Sequence, residues 1–493
     1  MTDDRPVAPS LDDPVLTSLS ESVGGPAGAH GRGHRWWTPV RVILAVTAAL
    51  FVLGMVQKAP CYTADWSNGE ERFAKMCYSD MPYLYVGRGF AELSWPYDDD
   101  EQTRARYDVM EYPVGISYFA YGAAWITQAV HGFPDVVARG KLPVAQLGAD
   151  QDVIQERSDY VAVSAVLLGA ITLLGAWLLA RTHRSRPWDA MLFAAAPVLV
   201  LNGLINWDLL AVTLVAGALY AWSRDRPLLT GILIGLGTAT KLYPLFLLGA
   251  ILVICLRRRE YAKFAVATGA AALSWLLANL PAMLTGWEEW KVFWSFNSER
   301  GADLGSVWLV LSQAGHTFDA STINDVSWLF FIAWCVAVMA IGLMAPETPR
   351  MAQLGFLIVA GFLLINKVYS PQYVLWLLPL AVLARPRWRD QLIWQAGEVF
   401  YFAAVWWYLG GFLQPGSGDE PGFYWLAIGL RLLCELYLIG IVVRDVLWPQ
   451  FDVVREGRGF DGWPPRRRAA KDSGRSLSPG DSDRPLSSTG PLA

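Results

Sequence analysis

Residues 206–259, NWDLLAVTLVAGALYAWSRDRPLLTGILIGLGTATKLYPLFLLGAILVICLRRR, decide how the chain is to be read. Three apolar runs follow one another, punctuated by Arg224 and Arg226, by Lys241-Leu242-Tyr243-Pro244 and by the arginines at 257, 258 and 259. Apolar segments joined by short basic turns suit a chain threaded repeatedly through a bilayer, with Lys and Arg held on the cytoplasmic side. The two runs flanking Lys241 are about fourteen residues each, about 21 Å at 1.5 Å per residue, so this lysine is expected below the outer headgroups. An ionisable group at such depth costs about 2.5–3.5 kcal/mol on insertion scales, which makes Lys241 and Asp208 candidates for function. A structural bridge between the two is the competing reading, and the sequence leaves both open.

The remainder of the chain agrees. Of 493 residues, 54% are hydrophobic and only 17% charged, too apolar a balance for soluble domains. A net charge of −4 supplies no basic field to hold nucleic acid, so nucleic-acid binding is excluded. Roughly thirteen apolar runs lie between positions 38 and 443. If the run at 113–130 crossed the membrane, the basic loops at Arg181, Arg224, Arg257 and Arg385 would face outside, against the charge rule. Read instead as a helix on the outer surface, it leaves about twelve spans and places every basic loop and both termini inside. The expectation is an all-α polytopic protein of the cell (plasma) membrane. It has cytoplasmic, disordered tails at 1–36 and 449–493, and a membrane domain at 37–448 with outer loops at 58–159 and 285–325. Those loops are acidic: nine Lys/Arg against sixteen Asp/Glu in the first, two against six in the second.

Three outer apexes carry the polar residues that could do chemistry: Asn206-Trp207-Asp208, Lys241-Leu242-Tyr243-Pro244, and the segment from Asn366 through Lys367, Tyr369 and Gln372. All face the first outer loop, about a hundred residues long and too long for a passive connection. Within it Asp80 stands alone among aromatic and apolar neighbours, where desolvation would raise its pKa and make it a better proton acceptor. The run Asp98-Asp99-Asp100-Glu101 reads instead as a solvated face. Cys61 and Cys77 share the loop and could close a disulfide pinning the Asp80 segment. Arg431 and Glu435, four residues apart, read as an intrahelical ion pair. Neither His131 nor His316 has a partner at metal-ligand spacing, so no metal or cofactor is expected. Missing Walker and GxGxxG signatures exclude nucleotide-driven chemistry.

Taken in order, Asp80 with Tyr83 and Tyr85, Glu111-Tyr112-Pro113, Asn206-Trp207-Asp208, Thr240-Lys241-Leu242-Tyr243-Pro244 and Tyr369-Ser370-Pro371-Gln372-Tyr373 resemble glycosyltransferase family 87, the polyprenol-phosphate-mannose-dependent transferases of the GT-C superfamily. The resemblance spans most of residues 38–445. It implies a GT-C-like bundle and an inverting transfer of a hexose, mannose first, from a polyprenyl-phosphate sugar to an envelope glycolipid or glycan on the extracytoplasmic face. It implies Asp80 as catalytic base. On that reading Lys241, with Lys367 and Arg88 as second choices, receives the leaving phosphate. Asn206, Asp208, Tyr112, Tyr243, Tyr369 and Gln372 contact the sugar or the acceptor. A multi-pass transporter or lipid-linked-sugar flippase also buries Asp and Lys near a membrane. No inverted repeat is visible, however, and the candidates collect at one face rather than at the midplane.

Overall fold

The computed structural model describes residues 13–23, 36–413 and 421–456. The described residues contain helices and no strand. Five helices are long and apolar enough, by length and composition, to cross a membrane: α1 (Pro39–Tyr62), α4 (Gln151–Thr182), α8 (Tyr261–Thr285), α10 (Ala320–Met344) and α14 (Gly422–Leu447). Between them lie α2 (Met81–Gly87), α3 (Val114–Val130), α5 (Leu209–Ser223), α6 (Pro227–Thr240), α7 (Leu247–Arg258), α9 (Trp287–Glu299), α11 (Met351–Ile365), α12 (Val374–Ala384) and α13 (Trp388–Leu409).

Local chemistry sets the boundaries. The Thr38 hydroxyl accepts from the Arg41 amide, and Pro39 follows as the first residue of α1. The Asp150 carboxylate accepts from the amides of Asp152 and Val153 to start α4, and Asp319 does the same for α10 through Thr322. The apolar run at 189–205, one of roughly thirteen, is broken into Met191–Ala194 and Pro197–Asn202. Pro197 has no amide hydrogen to continue the helix and disfavours helical geometry at Ala196, which is extended at ψ 120°.

Small residues pull α6 onto α8. A Cβ at Gly231 would lie 2.1 Å from the Ala267 carbonyl oxygen, and one at Gly235 would meet Ser274 and Ala271 as closely. This small-xxx-small crossing fixes α6, whose C-terminus delivers Lys241. The core centres on α12, every residue of which is buried, and on α11, buried over nearly its whole length. Their connection, residues 366–373, is therefore held on a rigid base.

Two tail boundaries differ from expectation. Pro14–Val23 is helical, and the buried Asp13 carboxylate accepts from the Trp388 amide at 2.9 Å, capping α13 from a distant part of the chain. At the other end Pro449–Phe451 and Val453–Glu456 are helical around buried Asp452, which takes two hydrogen bonds from Arg350 at 2.9 and 3.0 Å. A carboxylate that matches a buried guanidinium orders the chain around it, and composition alone does not reveal such a pairing. The rest of the two tails lies outside the described residues.

Candidate active site

A cavity of about 620 Å³ opens where the three apexes meet the first long loop. Its wall includes Asp80, Glu111, Tyr112, Asn206, Lys241 and Tyr243, and, from the second half of the chain, Arg300, Asn324, Lys367, Ser370, Gln372 and Trp376. The base candidate and the lysine of the short helix pair thus share one chamber.

Asp80 precedes α2, and its placement rests on the turn between Asn202 and Leu209. The Asp80 amide and the Ser79 hydroxyl both donate to the Ile205 carbonyl, at 2.8 and 3.1 Å, docking the first loop onto the Asn206 apex. Behind it, Cys61 and Cys77 are bonded, and the Lys58 ammonium donates to the Tyr78 carbonyl at 2.8 Å. The segment carrying Asp80 is tied on both sides. The Tyr112 hydroxyl donates to Asp80 Oδ2 at 3.0 Å. Burial raises the Asp80 pKa above the ordinary carboxylate value, while the Tyr78 and Tyr112 hydroxyls and the Lys241 ammonium act the other way. Tyr112 itself is pushed well above the usual phenol range, first by burial and then by the charges of Asp80 and Asp208, and so keeps its proton as a donor.

Lys241 bonds Asp208 Oδ1 at 2.8 Å, so the bridge weighed from the sequence is formed. Asp208 is buried; its Oδ2 accepts from the Trp376 indole at 3.2 Å, and its amide donates to Asn206 Oδ1 at 3.0 Å. Asp208 supports the wall from behind and does not line the cavity. The Lys241 ammonium sits 4.6 Å above the Tyr112 ring, so the bridge also holds the tyrosine that bonds Asp80. Tyr243 stacks on Trp376 at 4.8 Å and 7°, and Tyr373 stacks on the same indole at 4.0 Å. Within this wall the Asn206 amide nitrogen and the Tyr243 hydroxyl are buried without a hydrogen-bond partner among the described residues. Both residues line the cavity, but these two atoms are themselves covered by the wall.

Residues 152–366 match the sequence model of glycosyltransferase family 87. Over that stretch, less than half of the chain, the protein is similar to this family. No curated protein matches it. The match, with the apolar helices, supports a membrane glycosyltransferase. The matched stretch contains the Asn206 and Lys241 apexes and ends one residue before Lys367, whereas Asp80 lies upstream of it.

Besides Asp208, two sequence candidates stand off the cavity wall. Arg88 pairs with Glu111 at 2.6 Å and does not line the cavity, because the first loop closes on itself there; Glu111 takes the place on the wall. Tyr369 is fully buried behind the wall, its hydroxyl donating to the Glu398 carboxylate at 2.9 and 3.0 Å, so no hydroxyl is left for a sugar. Gln372 does line the cavity, where its Oε1 accepts from Ser370 at 2.6 Å. Arg431 and Glu435 form the expected ion pair at 3.0 Å.

Lys367 lines the cavity and donates to neutral groups, Asn324 Oδ1 at 2.6 Å and the Ser298 carbonyl at 3.5 Å. Its pKa is lowered by burial and by the like charge of Arg300, and both penalties would be offset by an anion between them. Sequence reading missed Arg300 and Asn324. They fall in the outer loop at 285–325, at the ends of α9 and α10, and nothing local marks either as facing Lys367 some forty to seventy positions away in sequence. The faint signal was that the loop held just two basic residues, one of them beside Asn297 and Ser298.

Proposed function

We propose that the protein moves a hexose, mannose by the family resemblance, from a polyprenyl-phosphate donor to an envelope glycolipid or glycan acceptor on the extracytoplasmic face, with inversion. The observation carrying this reading is that a tyrosine-bonded carboxylate and Lys367, a cation bonded only to neutral oxygens, border one cavity inside an apolar helical body, with Arg300 and its partner Asp303 beside it. Asp80 takes the proton of the acceptor hydroxyl as that oxygen attacks the anomeric carbon. The bond from the anomeric carbon to the phosphate oxygen breaks, its electron pair stays on that oxygen, and polyprenyl phosphate leaves with one more negative charge. Lys367 meets that charge in a partly desolvated wall, where a cation stabilises an anion far better than in water, and Arg300, already ion-paired with Asp303, adds a weaker attraction beside it.

Lys241 has a different part in this reading from the one first expected of it. With Asp208 bonded to it, its charge is largely compensated, and it serves chiefly to orient Tyr112 toward Asp80. Asn206, Tyr243 and Gln372 orient hydroxyls of the sugar or the acceptor. The aromatic side chains of α9 beside the cavity, Phe293, Trp294 and Phe296, restrict water and so limit hydrolysis of the donor. No metal enters the scheme. The test is transfer itself: membranes with and without the protein are incubated with radiolabelled polyprenyl-phosphate sugars, and the labelled product is identified. A labelled envelope product that depends on the protein supports the reading. Transfer from a nucleotide sugar and not from the lipid-linked donor would refute it.

A further inference from the structure

Behind the cavity wall, α13 and α14 bury Glu398, Arg431 and Glu435, two carboxylates and one guanidinium at 2% exposure or less. Charges within such apolar helices are costly and call for an explanation beyond helix packing. The Arg431–Glu435 pair closes within one helix, yet the cluster reaches outward. The Arg431 guanidinium stacks 3.6 Å from the centre of the Tyr369 ring, and its Nη2 donates to the Gly305 carbonyl at 3.5 Å. Glu398 receives the Tyr369 hydroxyl. Two further tyrosines of the same helices hold backbone: Tyr401 donates to the Tyr369 carbonyl at 2.6 Å, and Tyr424 accepts from the Gly305 amide at 2.9 Å.

All these contacts converge on two short segments, 303–306 and 367–370, which are also tied to each other. The Asp303 amide donates to the Lys367 carbonyl at 2.8 Å, and the Tyr369 amide to the Leu304 carbonyl at 2.6 Å. The first segment anchors Arg300 through its ion pair with Asp303, and the second carries Lys367 itself. The approach is close enough to require glycine: Gly305 has φ +67°, and a Cβ there would lie 2.0 Å from the Tyr401 hydroxyl and 2.6 Å from the Tyr369 carbonyl oxygen.

We propose that Tyr369, clamped by Glu398 and Arg431, is a positioning residue that sets Lys367 and Arg300 at the distance needed to receive the donor phosphate. This rests on the phosphate role given to Lys367 above. The cluster touches no substrate; it acts through the backbone of the two segments. Its charge is retained because an apolar replacement could pack the helices but could not hold a tyrosine hydroxyl and a loop carbonyl at once.

The test uses the full-length protein in lipid nanodiscs, with undecaprenyl phosphate as binding probe and the lipid-linked sugar as donor. Tyr369→Phe keeps the ring beneath Arg431 and removes the hydroxyl bonded to Glu398. It should weaken probe binding and raise the donor KM roughly three- to thirty-fold, with the acceptor KM unchanged. Added to Lys367→Ala, it should produce little further loss, since both changes act on one contact. Arg431→Lys should behave in the same way; should it fail to fold, Tyr369→Phe decides. Additive losses in the double variant, or equal effects on donor and acceptor, would overturn the positioning role while leaving the phosphate site intact. Unchanged probe binding in Lys367→Ala alone would instead overturn the phosphate assignment, and the positioning role with it.

Discussion

The two ends of the helical body bury charge in opposite ways. At the basic end each core arginine is closed off by several partners. Arg350 meets Asp452 at 2.9 and 3.0 Å and the Ala384 carbonyl at 2.8 Å; Arg385 meets Asp390 at 2.7 Å and Asp445 at 2.9 Å; Arg186 meets Asp189 at 2.9 Å. One helix length away, at the far end of α11, Lys367 bonds neutral oxygens beside a cavity, and Asn206 and Tyr243 leave polar atoms unpaired in its wall. Matched charge leaves no room for a ligand and serves cohesion. Charge that borders a void, with polar atoms still to be satisfied, is where a substrate can contribute the missing partner.

That contrast breaks if charge removal has the same consequence at both ends. The largest effect is expected at Asp80: Asp80→Asn should lower turnover by about 10²–10⁴-fold, the usual contribution of a general base, with thermal stability near that of the parent. Arg350→Ala should do the reverse. By taking from buried Asp452 its two-point partner while Arg455 remains, it should cost about 1–3 kcal/mol of stability, read as a lower thermal midpoint in detergent, with the donor KM of the folded fraction unchanged. Replacing Cys61 and Cys77 by Ser, which opens a loop of sixteen residues, should cost about 3 kcal/mol by the chain-entropy estimate. Because Asp80 lies three residues beyond Cys77, that loss should lower kcat more than it changes the donor KM.

The smallest effect is on the pH profile. As the proposed base Asp80 would work deprotonated, and burial raises its pKa, so activity should fall, as pH drops, at a higher pH than for an ordinary carboxylate. The Tyr112 hydroxyl favours the charged carboxylate, so Tyr112→Phe should move this acidic limb to still higher pH. A limb that stays in place would separate Tyr112 from the base.

The helical, membrane-threaded character of the chain was legible because apolar runs and basic turns are local signals. Asp80, Lys241 and Asn206 were legible as site candidates because polar residues at apolar helix ends are costly wherever they point. Direction was not. Tyr369 sits at an apex like Gln372 three residues on, but its side chain turns back toward Glu398 while Gln372 faces the cavity, and the sequence pattern is the same for both. Arg88 was hidden by its pairing with Glu111, and Arg300 by its distance along the chain from Lys367. The turn after Asn202 was visible as an apex, but that its Ile205 carbonyl receives the Asp80 amide required the fold.

The division of labour in the cavity is tested most directly by measuring polyprenyl-phosphate binding and sugar transfer side by side in Asp80→Asn and Lys367→Ala. The account predicts that Asp80→Asn binds the lipid phosphate like the parent yet transfers sugar about 10²–10⁴-fold more slowly, and that Lys367→Ala binds it poorly. Sugar transfer at the parent rate in Asp80→Asn would contradict it.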